Sequence, residues 1–390
     1  MKLLLTSVRL PHALGLIRHL GRAGHSVYAA DTFGSAPGLH SRYVQEAILT
    51  ASPAFETAAF IEDLGEAIRH REIERLVPCF EEVFYIARHR EELGEFCDVF
   101  CPPLEVLAKL HNKHTFVELT RELGLPIAQT RTVRSREELR AAVEEFPEFF
   151  ARAAFSRGGV ELFTNTGPLA GRVALEDCAA SPDQPWLVQE FLHGEDICSF
   201  SVAKQGEIVA HCCYRHPLTM EHAGGIAFES IDEARSLEIA RAYVRATNFH
   251  GHVSFDYMRG DSGLHVVECN PRPCAGVVLM SSEGFSEALM AGDPADPYVV
   301  PAGETAQIDS AIIREMFREP GEIPRDLRHL LSGARDVYAQ KGDRLPGLYQ
   351  ILSYSHVFAF RHRMHTRRHK HSDLMAAQFY DIAWDGAEIE

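Results

Sequence analysis

His252-Val-Ser-Phe-Asp-Tyr-Met258 and His265-Val-Val-Glu-Cys-Asn-Pro-Arg272 read as two consecutive strands, and Arg259-Gly-Asp-Ser-Gly263 between them as the turn of a hairpin. Asp256 lies on the first strand. Glu268 and Asn270 are two apart on the second, so the period-two alternation of a strand sends both to one face. Pairing gathers three oxygen-bearing side chains in an otherwise apolar sheet, with Phe255, Val266 and Val267 beside them. Hard oxygen donors of this kind suit Mg2+ or Mn2+ shared with nucleotide phosphates, because Mg2+ takes one or two carboxylates and keeps water and phosphate oxygens in its other positions. Arg272 then faces a transferred phosphoryl group or a carboxylate. The competing reading is a hairpin with a solvated polar face. The apolar flanks count against it, since unpaired carboxylates are expensive to bury.

Around this hairpin, from about residue 127 to 280, strand patterns dominate at 149–154, 160–164, 186–191, 197–203, 208–214, 252–258 and 264–269. Helical periodicity interrupts them at 136–145 and 232–247, so this unit reads as α+β with antiparallel sheets. Within it, Phe149-Phe-Ala-Arg-Ala-Ala-Phe-Ser-Arg-Gly-Gly-Val160 runs a strand bearing Arg152 into a small loop with Gly158 and Gly159. Such a loop can offer backbone N–H groups to phosphates, or it can be a plain hairpin turn with Arg157 as a surface charge. Trp186-Leu-Val-Gln-Glu-Phe-Leu-His-Gly-Glu-Asp-Ile197 is a strand leading to a polar bend. A purine can lie against that strand and bond the backbone near residues 190–192, with Glu195 on the ribose; the bland alternative is a connector with solvated acids.

The first hundred residues alternate strand and helix: a strand at 2–6, a helix at 11–22 and a strand at 26–31 open a βαβ unit, and helices near 55–69 and 83–93 precede strands at 75–80 and 98–101. This alternation predicts a parallel sheet covered by helices. The first strand-to-helix turn, Thr6-Ser-Val-Arg-Leu-Pro-His12, lacks the G-x-G-x-x-G glycines, which disfavours a dinucleotide dehydrogenase and leaves Asp31 as a turn residue. Pro102-Pro103 marks a boundary, after which Asn112 caps a helix closed by Gly124 and Pro126. Beyond residue 300 the signals are mixed, with 309–317 completing the sheet or forming a helix, and with a basic run, Arg361-His-Arg-Met-His-Thr-Arg-Arg-His-Lys-His371.

With 39 Lys+Arg against 55 Asp+Glu in 390 residues, a net charge of −16 makes general nucleic-acid binding a poor reading. No apolar run approaches the ~20 residues of a membrane span. Arg9, Pro11, His12 and Arg18 interrupt the apolar N-terminus, which argues against a signal peptide. The 9 cysteines show no CxxC pair or zinc spacing, which predicts reduced core residues and a cytoplasmic location.

In order and spacing these elements resemble the ATP-grasp superfamily, in the branch of biotin carboxylase and the carbamoyl-phosphate synthase large subunit. The resemblance covers residues 1 to about 290. It implies an N-terminal biotin-carboxylase-like parallel α/β domain (1–108), an ATP-grasp domain (109–300, with a small lid at about 127–190 and an antiparallel grasp sheet), and a C-terminal extension (301–390) packed on or near the grasp domain. Asn112-Lys113 resembles the opening whose lysine reaches nucleotide phosphate. Arg152 takes the place of the second nucleotide-binding lysine, a planar fork in place of a point charge. Ser156-Arg-Gly-Gly159 resembles the loop that closes over the phosphates, Gln189-Glu190-Phe191-Leu192 the adenine hinge, and Glu195 the ribose acid. Asp256, Glu268, Asn270 and Arg272 match the metal-binding strands and the E-x-N-x-R signature, while Arg215 and His222 sit where such enzymes approach the acceptor.

In function, the resemblance implies a Mg-ATP-dependent ligase that activates a small carboxylate as an acyl phosphate for attack by an amine. Lys113 and Arg152 would hold phosphates and Arg272 would steady the acyl phosphate, with small-molecule partners and a homodimer through the N-terminal domain. A catalytically silent ATP-binding regulatory or assembly protein, and a carboxylase-like enzyme acting on a carrier-bound substrate, are the alternatives. The basic run reads as a solvated helical face or as a recognition element for an anionic substrate or carrier.

Overall fold

The structure, a computed structural model, describes residues 1–156, 162–220, 224–363 and 379–389. Its first sheet is parallel, with its inner strands buried on both faces, as strands flanked by helices must be. Strands β1 (Lys2–Leu5), β2 (Ser26–Asp31), β3 (Val44–Leu49), β4 (Arg75–Val77) and β5 (Asp98–Val99) lie in the order β3-β2-β1-β4-β5. They are covered by α1 (Pro11–Arg22), α2 (Thr57–Arg71), α3 (Glu82–Arg88) and α4 (Arg90–Gly94). Pro11 occupies the first turn of α1, where its missing N–H costs nothing, and Ala13, Ile17 and Leu20 are fully buried. The single helix expected at 83–93 breaks at His89, whose φ of −104° and ψ of 20° leave the helical region.

Beyond Pro103, α5 (Leu104–His111) runs into Asn112, whose side chain accepts from the N–H groups of His114 and Thr115 and caps α6 (Lys113–Glu122). The cap fixes Lys113 as the first residue of a helix. The second sheet combines β6 (Thr130–Val133), β7 (Phe149–Ala153), β8 (Leu162–Thr164) and β9 (Trp186–Glu190) in the order β6-β9-β7-β8, with α7 (Arg136–Glu144) against it.

The third sheet holds β10 (Glu195–Lys204), β11 (Glu207–Met220), β12 (Gly224–Ser230), β13 (Gly251–Gly260) and β14 (Gly263–Asn270), joined by the short β15 (Tyr298–Val299), β16 (Thr305–Gln307) and β17 (Arg335–Asp336). Its path is β14-β13-β10-β11-β12-β16-β17, with β15 beside β11. Helix α8 (Ala234–Ala246) covers one face, where Tyr243 stacks on Phe255 and the Tyr257 hydroxyl donates to Ser236 O. Helix α9 (Ser282–Ala291) ties the sheet to α1 through His19 and Ser282.

The segment past residue 300 meets both the third sheet and the first domain. β16 and β17 continue the third sheet past residue 300, with α10 (Asp309–Arg318) and α11 (Ile323–Leu330) between them. Helix α12 (Leu345–Arg363) and residues 379–389 lie instead on the first domain, through Ser35–His356 and a fully buried Arg9–Asp381 pair at 2.6 Å. The same guanidinium holds Asp31 at 2.7 Å, so Asp31 is an ion-pair partner as well as the turn residue that accepts from Phe33 N. Among the described residues no helix is long and apolar enough to cross a membrane.

Candidate active site

The hairpin forms in the expected place, and the register sets four side chains in one row. Tyr214, Cys198, Asp256 and Glu268 stand opposite one another across β11, β10, β13 and β14. Opposed residues share a face, here the one away from α8. Asn270 Nδ2 donates to Asp256 Oδ2 at 3.1 Å and to Glu268 Oε1 at 3.3 Å, and the Cys198 thiol donates to Asp256 Oδ1 at 3.1 Å. Burial and then the charge of Glu268 push the Asp256 carboxyl well up. Burial pushes Glu268 the same way, but the charges of Lys113 and Arg152 outweigh it and hold Glu268 down. A pair in which one carboxylate resists ionising beside the other fits a divalent cation, which would remove that repulsion. Among the described residues no three His, Cys, Asp or Glu side chains form a metal cage; the donor set is two carboxylates and one amide, as suits a metal shared with phosphates.

Two cations close on this carboxylate. Arg152 Nη1 donates to Glu268 Oε2 at 2.7 Å, and its Nη2 to Val267 O at 2.8 Å and Gln189 Oε1 at 3.2 Å. The Val267 carbonyl is available because β14 carries one extra residue at this point: Asp256 opposes Glu268, but Tyr257 opposes Val266. Lys113 Nζ lies 3.6 Å from Glu268 and donates to Ser156 O at 2.5 Å, at the end of the described part of the loop. Ser156 Oγ is turned back onto Ala153 O. Gly158, Gly159 and His222 lie outside the described residues, as do the side chains of the basic run 361–371.

Arg272 ends the row. Its guanidinium lies 4.1 Å over the ring of Phe80, Nη2 donates to Asn270 Oδ1 at 3.1 Å, and Nε is 3.8 Å from Glu81 Oε1. Phe80 and Glu81 follow β4, so the carboxyl end of the parallel sheet forms a wall of the site, the usual place for ligands in such sheets. The sequence pattern carried no sign of these two residues, because nothing local marks them.

The hinge segment is partly committed to its own sheet. Glu190 N and Phe191 N donate to Gln129 O and Glu148 O at 3.0 Å, Glu190 Oε1 accepts from Gln129 N, and Gln189 links Arg152 to Thr130. The N–H groups of Glu190 and Phe191 are therefore engaged within the fold itself.

Glu195 and Arg215 fall on the other face of the sheet. Glu195 opposes Arg259 and pairs with it at 2.5 Å, Arg215 is 3.6 Å away, and Arg259 also reaches Glu233 at the start of α8. This places both on the α8 face, opposite the Asp256–Glu268 row, because strand neighbours alternate. The acid on the row's own face is Asp196, whose charge adds to the rise at Asp256. Its partner is His216, 3.8 Å away and packed on Tyr214 and Phe228. Alternation counted back from Asp256 through its register partner Cys198 identifies Asp196, but that register is a tertiary fact.

No family model matches the sequence. Solved structures do match in shape. N5-carboxyaminoimidazole synthetase of Staphylococcus aureus complexed with ADP aligns with a TM-score of 0.60 at 14% identity, over 82% of this chain and 86% of that one. Phosphoribosylamine–glycine ligase of Thermotoga maritima gives 0.58 at 15% identity over 78% of each chain. Biotin carboxylase of Campylobacter jejuni gives 0.56 at 15% identity, over 70% of this chain and 66% of that one. All three are ATP-grasp enzymes, and the chain has their fold.

Proposed function

We propose that the protein is an ATP-dependent ligase that activates a small carboxylate as an acyl phosphate for attack by an amine, releasing ADP and phosphate. One observation carries the reading: Glu268, paired with Asp256 and Asn270 on one side, is gripped on the other by Lys113 and Arg152 from two different elements. Bare nucleotide binding does not need this convergence of metal donors and phosphate cations. The fold shared with ligases, one of them complexed with ADP, supports the general reaction.

Asp256, Glu268 and Asn270 would hold Mg2+ or Mn2+, which supplies charge neutralisation on the nucleotide phosphates when bound. Lys113 and Arg152, now turned onto Glu268, are the fixed cations that follow the transferred phosphoryl charge. Arg272, held over the ring of Phe80, would present its remaining donors to the acyl phosphate. No protein nucleophile is needed. Asp196, on the same face as Asp256, would take ribose hydroxyls, in the role the sequence pattern assigns to Glu195. With this reading go a cytoplasmic location, which the absence of disulfides among the nine cysteines supports, and small-molecule partners without nucleic acid or membrane.

The test is ADP and phosphate release from Mg-ATP across a matrix of carboxylic acids crossed with amines, with mass spectrometry of any product. The expected result is release that depends on an acid–amine pair and vanishes in Glu268→Gln while that variant stays folded. Undiminished turnover in Glu268→Gln removes the metal assignment; ATP binding without turnover across the matrix removes the ligase.

A further inference from the structure

Residues 379–389 cross the first domain as a strap and touch the site from two directions. At one end, Phe379 stacks on Phe80 with ring centroids 4.5 Å apart, and Phe80 is the ring that carries Arg272. Two residues on, Asp381 is locked into Arg9, and its carbonyl accepts from Ala54 N and Ser52 Oγ. Further along, Trp384 N donates to Glu81 Oε2 at 3.2 Å, the carboxylate beside Arg272, and the Trp384 indole packs on Phe84 and Phe155. Phe155 immediately precedes Ser156, whose carbonyl holds Lys113. Gly386, at φ +90°, lies so close that a Cβ there would come within 2.6 Å of the Phe155 ring.

We propose that this strap is a positioning element of the transfer step: Phe379 sets the Arg272 guanidinium through the ring of Phe80, and Trp384 sets the root of the phosphate-facing loop through Phe155. An arginine side chain has many rotamers, and a fixed ring beneath it removes most of them before substrate arrives. The strap supplies that fixity from a part of the chain remote from the hairpin. The proposal rests on the assignment of Arg272 to the acyl phosphate.

The experiment compares wild type with Phe379→Ala, Phe379→Leu and Phe379→Tyr, reading kcat and KM for the amine acceptor, Mg-ATP affinity, melting temperature, and the place of Arg272 in crystals. In Phe379→Ala and Phe379→Leu, kcat is expected to fall about 10- to 100-fold, as for a misplacement near 1 Å. Mg-ATP affinity should stay within twofold, Arg272 should leave the face of Phe80, and Phe379→Tyr should restore both. An Arg272 that stays on Phe80 in both variants, or a loss of kcat that merely tracks melting temperature and nucleotide affinity, overturns the proposal. If wild type turns over no acid–amine pair, the ligase reading fails by itself, and the crystallographic position of Arg272 still decides what the strap does.

Discussion

Arg152 occupies three acceptors at once, on Glu268, Gln189 and Val267, and this number distinguishes it from a lysine. A guanidinium fork can satisfy acceptors in divergent directions; an ammonium on a flexible stem is a point charge. Arg152→Lys should therefore keep the charge and lose the geometry. A hydrogen bond to a charged group contributes about 1.5–3 kcal/mol, so Mg-ATP affinity should drop roughly 10- to 100-fold. Calorimetric titration checks this, and an unchanged affinity would show that only the charge matters. At the same scale, the shared face of the proposed metal donors was legible from their own spacing, because Glu268 and Asn270 stand two apart on a strand.

The neighbours Glu195 and Asp196 look interchangeable in sequence, and the strand separates them. One points to α8 and its partner Arg259; the other points to the face of Asp256. Glu195→Gln should cost under about 1 kcal/mol of stability, as exposed ion pairs do, and leave nucleotide affinity alone. Asp196→Asn should weaken Mg-ATP binding with little effect on melting. Fluorescence titration of both variants checks the assignment, and the reverse order of effects would put the ribose acid back at residue 195. The elements themselves were readable: α1 and β2 fall where periodicity, Pro11 and Gly24 place them, and Asn112 announces the helix that carries Lys113. What could not be read was exact register and the pairing of strands far apart in sequence. The extra residue on β14, the register that turns Glu195 away and the short β6 depend on which strands lie side by side. In the strap, Gly386→Ala should be destabilising by about 1–3 kcal/mol, since it adds a Cβ both at positive φ and against Phe155. A melting temperature equal to wild type would mean that the strap yields easily.

Over the whole molecule, the buried histidines His12, His19, His211 and His252 give the fold a pH dependence of their own. Burial pushes His12, His211 and His252 down to about 3, and His19 to about 4. Unfolded histidine titrates near 6.5, so between that pH and the folded-state values the unfolded chain binds more protons and stability falls as pH falls. The stabilisation is complete above pH ~6.5, and each group removes up to about 1.4 kcal/mol per pH unit below it. Melting temperature should decline between pH 7 and 5, and less steeply in His252→Leu, whose ring nitrogens have no hydrogen-bond partner among the described residues. A flat profile across that interval would mean that these histidines are not neutral inside the fold.

The Arg9–Asp381 pair joins residues 372 apart, and this sets an order of events during synthesis. At about 5–20 residues per second, Asp381 leaves the ribosome roughly 20–70 s after Arg9. For that interval the Arg9 guanidinium lacks the Asp381 carboxylate, and the rings of Phe80 and Phe84 lack Phe379 and Trp384. A part of the chain made early is sealed by a part made much later.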